Sequence, residues 1–460
     1  MEEYTPFLQK QFPELCTRDL ENLRTVNEGW YVEYKSEVSN PKTIAKSVSS
    51  FANTYGGWVF YGVHEKGNGD NSAGQFVGIP KSEMDAALQK IRQSVASNLN
   101  PIPHFETKVF SGPAEGINLP EDRVVICIRV PISYLAPHIH SNGCIYRRVA
   151  DSSEPKPESD RHQLDVLWRR REKIDSEYAD WIKRAPERTR GEAERPYLRL
   201  LLDADICQLE EDFWQLSVND VMGVFNDSNN GLGIPVDSCY PSHRGIVARQ
   251  TSSLTNHADF GLTWIIGKGL RSEVWIPLNV HATNGKEPFV QEFAKYQNTD
   301  FFYELLETSK VTDGKIVDLN QLFQILVAVL NQFDRLLDKN GTSKRRIHGK
   351  IILSGIWHLA PFIDAEIILT RMKFYGLPLC LNAEGAVPEG FGADSFYEFV
   401  LGEQTENPSE RSVIPSVHLM DLVCQAFGVQ TFLGSTKDEI NQVTHQLLDA
   451  ANRVKQVNDR

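Results

Sequence analysis

The sequence predicts an α+β protein, with an N-terminal domain followed by a C-terminal α+β accessory domain, and three observations carry that prediction. Between Trp30 and Val63 an aromatic and β-branched run, an amphipathic helical pattern and a short apolar run succeed one another, the order of a strand–helix–strand unit. Strand-like and helix-like segments both recur after residue 196. Between the two regions lies PERTRGEAER, Pro186 to Arg195, a polar stretch with the composition of an interdomain linker. The domains are expected at residues 1–178 and 196–460, with 179–195 joining them and the accessory part serving sensing or oligomerisation.

A helical lead-in is expected from Pro6 to Val26. Trp30 to Lys35 (WYVEYK) reads as a strand whose alternation puts Tyr31, Glu33 and Lys35 on one side and Trp30, Val32 and Tyr34 on the other. Glu28 stands five residues before Glu33, an offset that faces it the wrong way on a continuous strand. Gly29 permits a turn there, so Glu28 can approach from outside the strand. Asn40-Pro41 is an N-cap followed by proline at the first helical position. That helix runs to about Asn53, with Ile44, Val48, Phe51 and Ala52 on its apolar face. Gly56-Gly57 closes the unit, and WVFYGV (Trp58 to Val63) fits a buried strand that ends at His64 and Glu65. The unit therefore brings Glu33 and Glu65 toward each other, with Lys35 alongside.

KGNGDNSAG (Lys66 to Gly74) reads as a flexible loop on the rim of this cluster. Ser82 to Ala96 is a helix with Met84, Leu88, Ile91 and Val95 as core positions. PIPHFETKVF, DRVVICIRVPI and IYRR supply further strands, and His138 and His140 fall between them, read as unliganded side chains of a polar loop. Arg161 to Arg184 is a charged helix with Leu164, Leu167, Trp168 and Ile174 on its apolar side. In the second half, YLRLLLDADI, VWIPLNV and SKRRIHGKIILSG read as strands. Asp318 to Asp338 is a helix apolar on more than one face, hence buried or a dimer interface. Lys437 to Val457 is an amphipathic helix.

Composition bounds the function. No Walker A sequence and no dinucleotide-binding glycine fingerprint occurs. No apolar run approaches the ~18 residues that a membrane span requires. The N-terminus lacks the basic and apolar regions of a signal peptide, so a cytoplasmic location is expected. None of the 7 cysteines forms a C-x2-C pair, which argues for reduced thiols and against a zinc ribbon. The net charge of -13 is unevenly spread: residues 1–175 hold 21 Lys and Arg against 23 Asp and Glu, the rest 27 against 38. The first third is thus the better place for a polyanion. Its candidate phosphate contacts are Lys35, Lys46, Arg123, Arg129, Arg147 and Arg148. Arg147 and Arg148 are adjacent on a strand, so only one should face a groove.

The run E-x4-E-x-K from Glu28 to Lys35, then FANTYGGWVFYGV, then Glu65 two places after Gly-Val, resembles the Schlafen AlbA_2 domain. GCIYRRVADSS (Gly143 to Ser153) resembles the tyrosine–arginine strand that closes it. The matches cover about residues 18 to 160. The resemblance implies a mixed sheet with flanking helices, and a nucleic-acid-binding or nuclease role. It places the three acidic residues of metal-dependent RNA cleavage on Glu28, Glu33 and Glu65, and the motif lysine on Lys35. The family more often has aspartate at the third position; Glu65 is one methylene longer and needs a different backbone placement to reach the same point.

The implied cofactor is Mg2+ or Mn2+, hard cations suited to carboxylate oxygens. The implied function is a metal-dependent endoribonuclease acting on tRNA-like or other structured RNA, with a place in antiphage defence or stress response. A single recognisable domain copy then implies a homodimer or higher oligomer to complete a groove. The alternative is a non-catalytic DNA- or RNA-binding regulator. In that case Glu28 caps a turn, Glu33 and Lys35 form a surface pair, and Glu65 is solvated.

Overall fold

The computed structural model describes residues 4–7, 10, 12–67, 69–149, 154–184, 195–204, 216–227, 234–251, 260–267, 270–282, 285–311, 314–340, 346–401, 412–431 and 436–458. They fall into two compact units that divide between Glu177 and Tyr178. Most of the expected linker, residues 185–194, lies outside the described residues, as do residues 343–345 at the start of the expected strand SKRRIHGKIILSG.

The first unit is built on a mixed sheet. Strand β1 (Val32–Lys35) lies parallel to β2 (Gly57–Tyr61), with helix α1 (Pro41–Ala52) between them in sequence. A hairpin of β3 (His64–Gly67) and β4 (Asp70–Gln75) follows, then β5 (Ile79–Pro80), α2 (Met84–Asn98), β6 (Leu99–Asn100), β7 (Glu106–Ser111) and β8 (Arg123–Val130). The sheet order is β1-β2-β8-β5, with β7 also on β8, and every pairing after the first is antiparallel. Short strands β9 (Ile139–His140), β10 (Tyr146–Arg147) and β11 (Lys156–Pro157) precede α3 (Arg161–Lys183).

Alternation along the strands builds two cores. Val32, Tyr34, Trp58, Phe60, Val125 and Cys127 face Phe7, Leu20 and Leu23 of the N-terminal segment. Val59, Tyr61, Val124, Ile126 and Ile128 face Ile44, Val48 and Phe51 of α1 and Ile91 and Val95 of α2. The sheet is therefore buried on both sides, which is why its central strands are uninterrupted apolar runs.

Local departures have local causes. The lead-in is two 3₁₀ segments, Phe12–Glu14 and Thr17–Thr25, rather than one helix. Strand β1 begins two residues later than its aromatic composition suggests, because the Gly29 N–H donates to Val32 O (3.0 Å) and closes a turn over Trp30 and Tyr31. The Lys66–Gly74 segment is not a loop: it forms most of the β3–β4 hairpin. Helix α1 starts as its sequence dictates, with Asn40 accepting from the Thr43 N–H.

The two glycines after α1 are needed for close approach. Gly56 has φ +74°, and a Cβ there would stand 2.9 Å from Val130 O and Ile132 N. A Cβ on Gly57 would fall 2.2 Å from the Phe51 ring.

The second unit carries an eight-stranded sheet. Its order is Ser238–Ser242, Gly245–Thr251, Phe260–Ile266, Ser272–Pro277, Tyr197–Asp203, Arg346–Ser354 and Glu384–Val387, with Tyr397–Val400 also on Arg346–Ser354. A smaller sheet joins Val280–Ala282, Lys315–Asp318 and Leu359–Phe362. The long helix is Leu319–Lys339, capped by the Asp318 carboxylate, which accepts from the Asn320 and Gln321 N–H groups. Its apolar faces are buried within this unit, against Val218–Phe225, Val413–Ala426 and Lys437–Asn458. With strands and helices in both units the protein is α+β, and no described helix is long and apolar enough to cross a membrane.

Candidate functional site

Glu28, Glu33, Lys35 and Glu65 converge beside β1. Glu33, on the helix-facing side of β1, is only 2% exposed. Its Oε1 accepts from Ser47 Oγ of α1 (2.9 Å) and lies 3.2 Å from Lys35 Nζ. Its Oε2 lies 3.2 Å from Arg148 Nη2. Glu28 comes from the turn before the strand, as Gly29 allows. Its Oε1 accepts from the Tyr34 N–H (3.2 Å) and lies 3.5 Å from Lys35 Nζ. Lys35 thus bridges two carboxylates and keeps a third of its side chain (33%) exposed.

The β3–β4 hairpin delivers Glu65. The Glu28 N–H donates to Asn71 O (2.9 Å) and Asn27 bridges Ser72, so the strand opposite Glu65 also holds the backbone of Glu28. The Glu65 side chain lies beside that of Glu28. Burial, the adjoining Glu65 side chain and the charge of Glu33 push the Glu28 carboxyl up to about 8, against the opposing pull of Lys35. Burial lowers the Lys35 ammonium pKa, but Glu33 and Glu28 outweigh it and the net shift is upward. At neutral pH the cluster therefore holds a protonated Glu28 beside a charged Lys35.

Arg148 is the side chain whose role the sequence hides. It was expected to meet a phosphate, yet it is fully buried. Its guanidinium stacks on the Phe51 ring (4.3 Å) and points at Glu33. Its N–H donates to Thr54 Oγ1 (3.0 Å). Arg147, its neighbour, lies the other way: Nη1 donates to Glu158 (2.7 Å) and Gln163 (2.9 Å). One of the pair does face the carboxylates, but from inside the domain.

The remaining expected contacts are dispersed. Lys46 is half-buried over the Tyr146 ring (5.3 Å). Arg129 pairs with Glu106 (3.0 Å), and Arg123 donates to Gly78 O (3.3 Å).

His138 and His140 are buried, not in a polar loop. His138 Nδ1 meets Pro101 O (2.6 Å), and burial pushes its pKa down to about 4. His140 Nε2 meets Lys42 O (3.1 Å). Asn53, fully buried at the end of α1, donates to His138 O (3.1 Å) and Tyr146 O (3.0 Å) and accepts from the His138 N–H (2.8 Å). The FANTYGG run is thus mainly architectural: Phe51 seats Arg148, Asn53 ties down two later segments, and the glycines allow the close approach. Ser47 could have been found in the sequence, as a hydroxyl on the otherwise apolar face of Ile44, Val48 and Phe51.

Among the described residues, no group of three or more His, Cys, Asp or Glu is disposed to hold a metal ion. Glu28 and Glu65 do suit a hard cation chemically, since their carboxyl groups lie side by side. Glu33 sits deeper, its oxygens turned to Lys35, Ser47 and Arg148.

The profile of the family described as "Schlafen, AlbA_2" matches residues 28–157. Comparison with curated proteins gave no match. Among solved structures, the crystal structure of the DIP2311 protein from Corynebacterium diphtheriae is similar at 17% identity and a TM-score of 0.20. That similarity covers 30% of this chain and 26% of that one, so the chain spans about a quarter of that protein's length. Residues 28–157, the part of the chain that matches the Schlafen AlbA_2 family, include all four members of the carboxylate–lysine cluster together with Arg148.

Proposed function

We propose that this chain is a metal-dependent endoribonuclease acting on tRNA-like or other structured RNA, in antiphage defence or stress response. The observation that carries the reading is the convergence of Glu28 and Glu33 on a partly exposed Lys35, with Glu65 beside Glu28, within a domain whose family is linked to nucleic-acid binding or nuclease activity. In this reading Lys35 supplies the positive charge that meets the reacting phosphate, and Glu33 fixes its ammonium in place. Glu28 and Glu65 would hold Mg2+ or Mn2+, which when bound polarises a phosphoryl oxygen and lowers the pKa of water. Self-association as a homodimer or higher oligomer would complete an RNA groove; a monomer by light scattering under active conditions counts against it.

The test is cleavage of total tRNA with Mn2+ or Mg2+, with and without chelator, beside Glu33→Ala and Glu65→Gln. Chelator-sensitive cutting that both substitutions abolish supports the reading. Glu65→Gln serves as the second variant because Glu65 is only half-buried and its loss leaves the Glu33–Arg148 pair intact.

A second reading, a non-catalytic DNA- or RNA-binding regulator, is favoured by the engagement of Glu33 with Lys35, Ser47 and Arg148. It predicts RNA or DNA binding that survives chelator, no cutting, and binding unchanged in Glu65→Gln.

A further inference from the structure

A run of aromatic rings lies at the start of β1, on segments joined to the carboxylate site. Tyr4 stacks on Tyr31 (4.5 Å, 21°), Tyr31 neighbours Tyr55 (6.4 Å), and Tyr55 neighbours Trp30 (5.8 Å). Trp30 and Tyr31 are brought out by the Gly29–Val32 turn, and Tyr55 by the turn that follows α1. Tyr55 is exposed, and Trp30 and Tyr31 are half-buried.

A cation stands beside them. Arg170 of α3 donates from Nη2 to Thr54 O (3.0 Å), the carbonyl next to Tyr55. Among the described residues it pairs with no carboxylate, unlike Arg147, Arg129 and Arg171, each of which has one. Thr54 also connects the rings to the site: its hydroxyl accepts from the backbone N–H of Arg148, whose guanidinium meets Glu33. Flat π-faces beside an arginine that lacks an acid partner are the elements that single-stranded nucleic acid uses, bases stacking on the rings and phosphate meeting the guanidinium.

We propose that Trp30 and Tyr55, with Arg170, form a base-stacking shelf for an unpaired nucleotide flanking the segment held at the carboxylate–lysine site. The proposal rests on the nucleic-acid reading of that site and adds to it a preference for unpaired over fully paired substrate. Stacking is indifferent to base identity, so the shelf selects single-strandedness rather than sequence.

The test is fluorescence anisotropy of the full chain with labelled oligouridine and with a blunt RNA duplex, in EDTA so that cleavage plays no part. Tyr55→Ala and Trp30→Ala are each expected to weaken oligouridine binding roughly 5- to 100-fold and duplex binding much less. Tyr55→Phe keeps the ring and should bind within about 2-fold of the parent. Arg170→Gln should weaken binding to both and reduce the salt slope by about one. Oligouridine binding by Tyr55→Ala and Trp30→Ala equal to the parent's overturns the shelf alone. A parent chain that binds neither RNA overturns the shelf together with the nucleic-acid reading.

Discussion

Arg148 Nη2 lies 3.2 Å from Glu33 Oε2, the arginine fully buried and the glutamate 2% exposed. A pair so placed contributes modestly as a pair but is costly to break, because the surviving charge is left in a low-dielectric interior. Arg148→Met is expected to destabilise the first unit by about 3–5 kcal/mol in urea denaturation. Arg148→Lys should recover only part of this, since lysine keeps the charge but not the planar group that lies on Phe51. A variant as stable as the parent would mean that Glu33 finds other partners.

The Glu28 carboxyl sets a pH dependence whose sign can be worked out. Its folded pKa, about 8, is above the ordinary 4.5. Between those values the unfolded chain has released the proton and the folded chain has not, so stability falls as pH rises. The contribution is complete below 4.5 and is lost as pH passes through 8. In metal-free buffer, Glu28→Gln should therefore flatten the stability profile over that window. Parallel profiles for parent and variant would show that Glu28 titrates normally.

Asn53 makes three hydrogen bonds to backbone groups of two later segments, from a fully buried position. Asn53→Ala leaves those groups unsatisfied and should cost more than about 2 kcal/mol, with thermal unfolding as the measure. Because Asn53 touches none of the four cluster side chains, any surviving RNA affinity should be unchanged per folded molecule.

Much of the first unit was legible because its determinants are local. Asn40-Pro41 starts α1 by supplying a cap and a preset φ, and the apolar run Trp58–Val63 must be buried wherever the chain goes. Glu28 was readable as an approach from a turn because glycine follows it. The hairpin at Lys66–Gly74 was missed because glycine, asparagine and aspartate mark turns equally well in loops and in short strands, and pairing decides between them. The meeting of Trp30 and Tyr55 with Arg170 was unreadable for a different reason: the rings come together only when the strand–helix–strand unit folds, and α3 then brings Arg170 to Thr54.

The sequence by itself determined the strand–helix–strand unit and the charges it carries, through periodicity, capping and glycine, all effects of a few neighbouring residues. Tertiary structure decided what those charges do. Strand alternation allowed either Arg147 or Arg148 to face Glu33, and both could have met solvent. Long-range packing chose, sealing Arg148 between Phe51 and Glu33 and leaving Arg147 with Glu158: Lys35 meets one oxygen of the buried Glu33 from the same strand, and only the folded chain brings a second cation to the other.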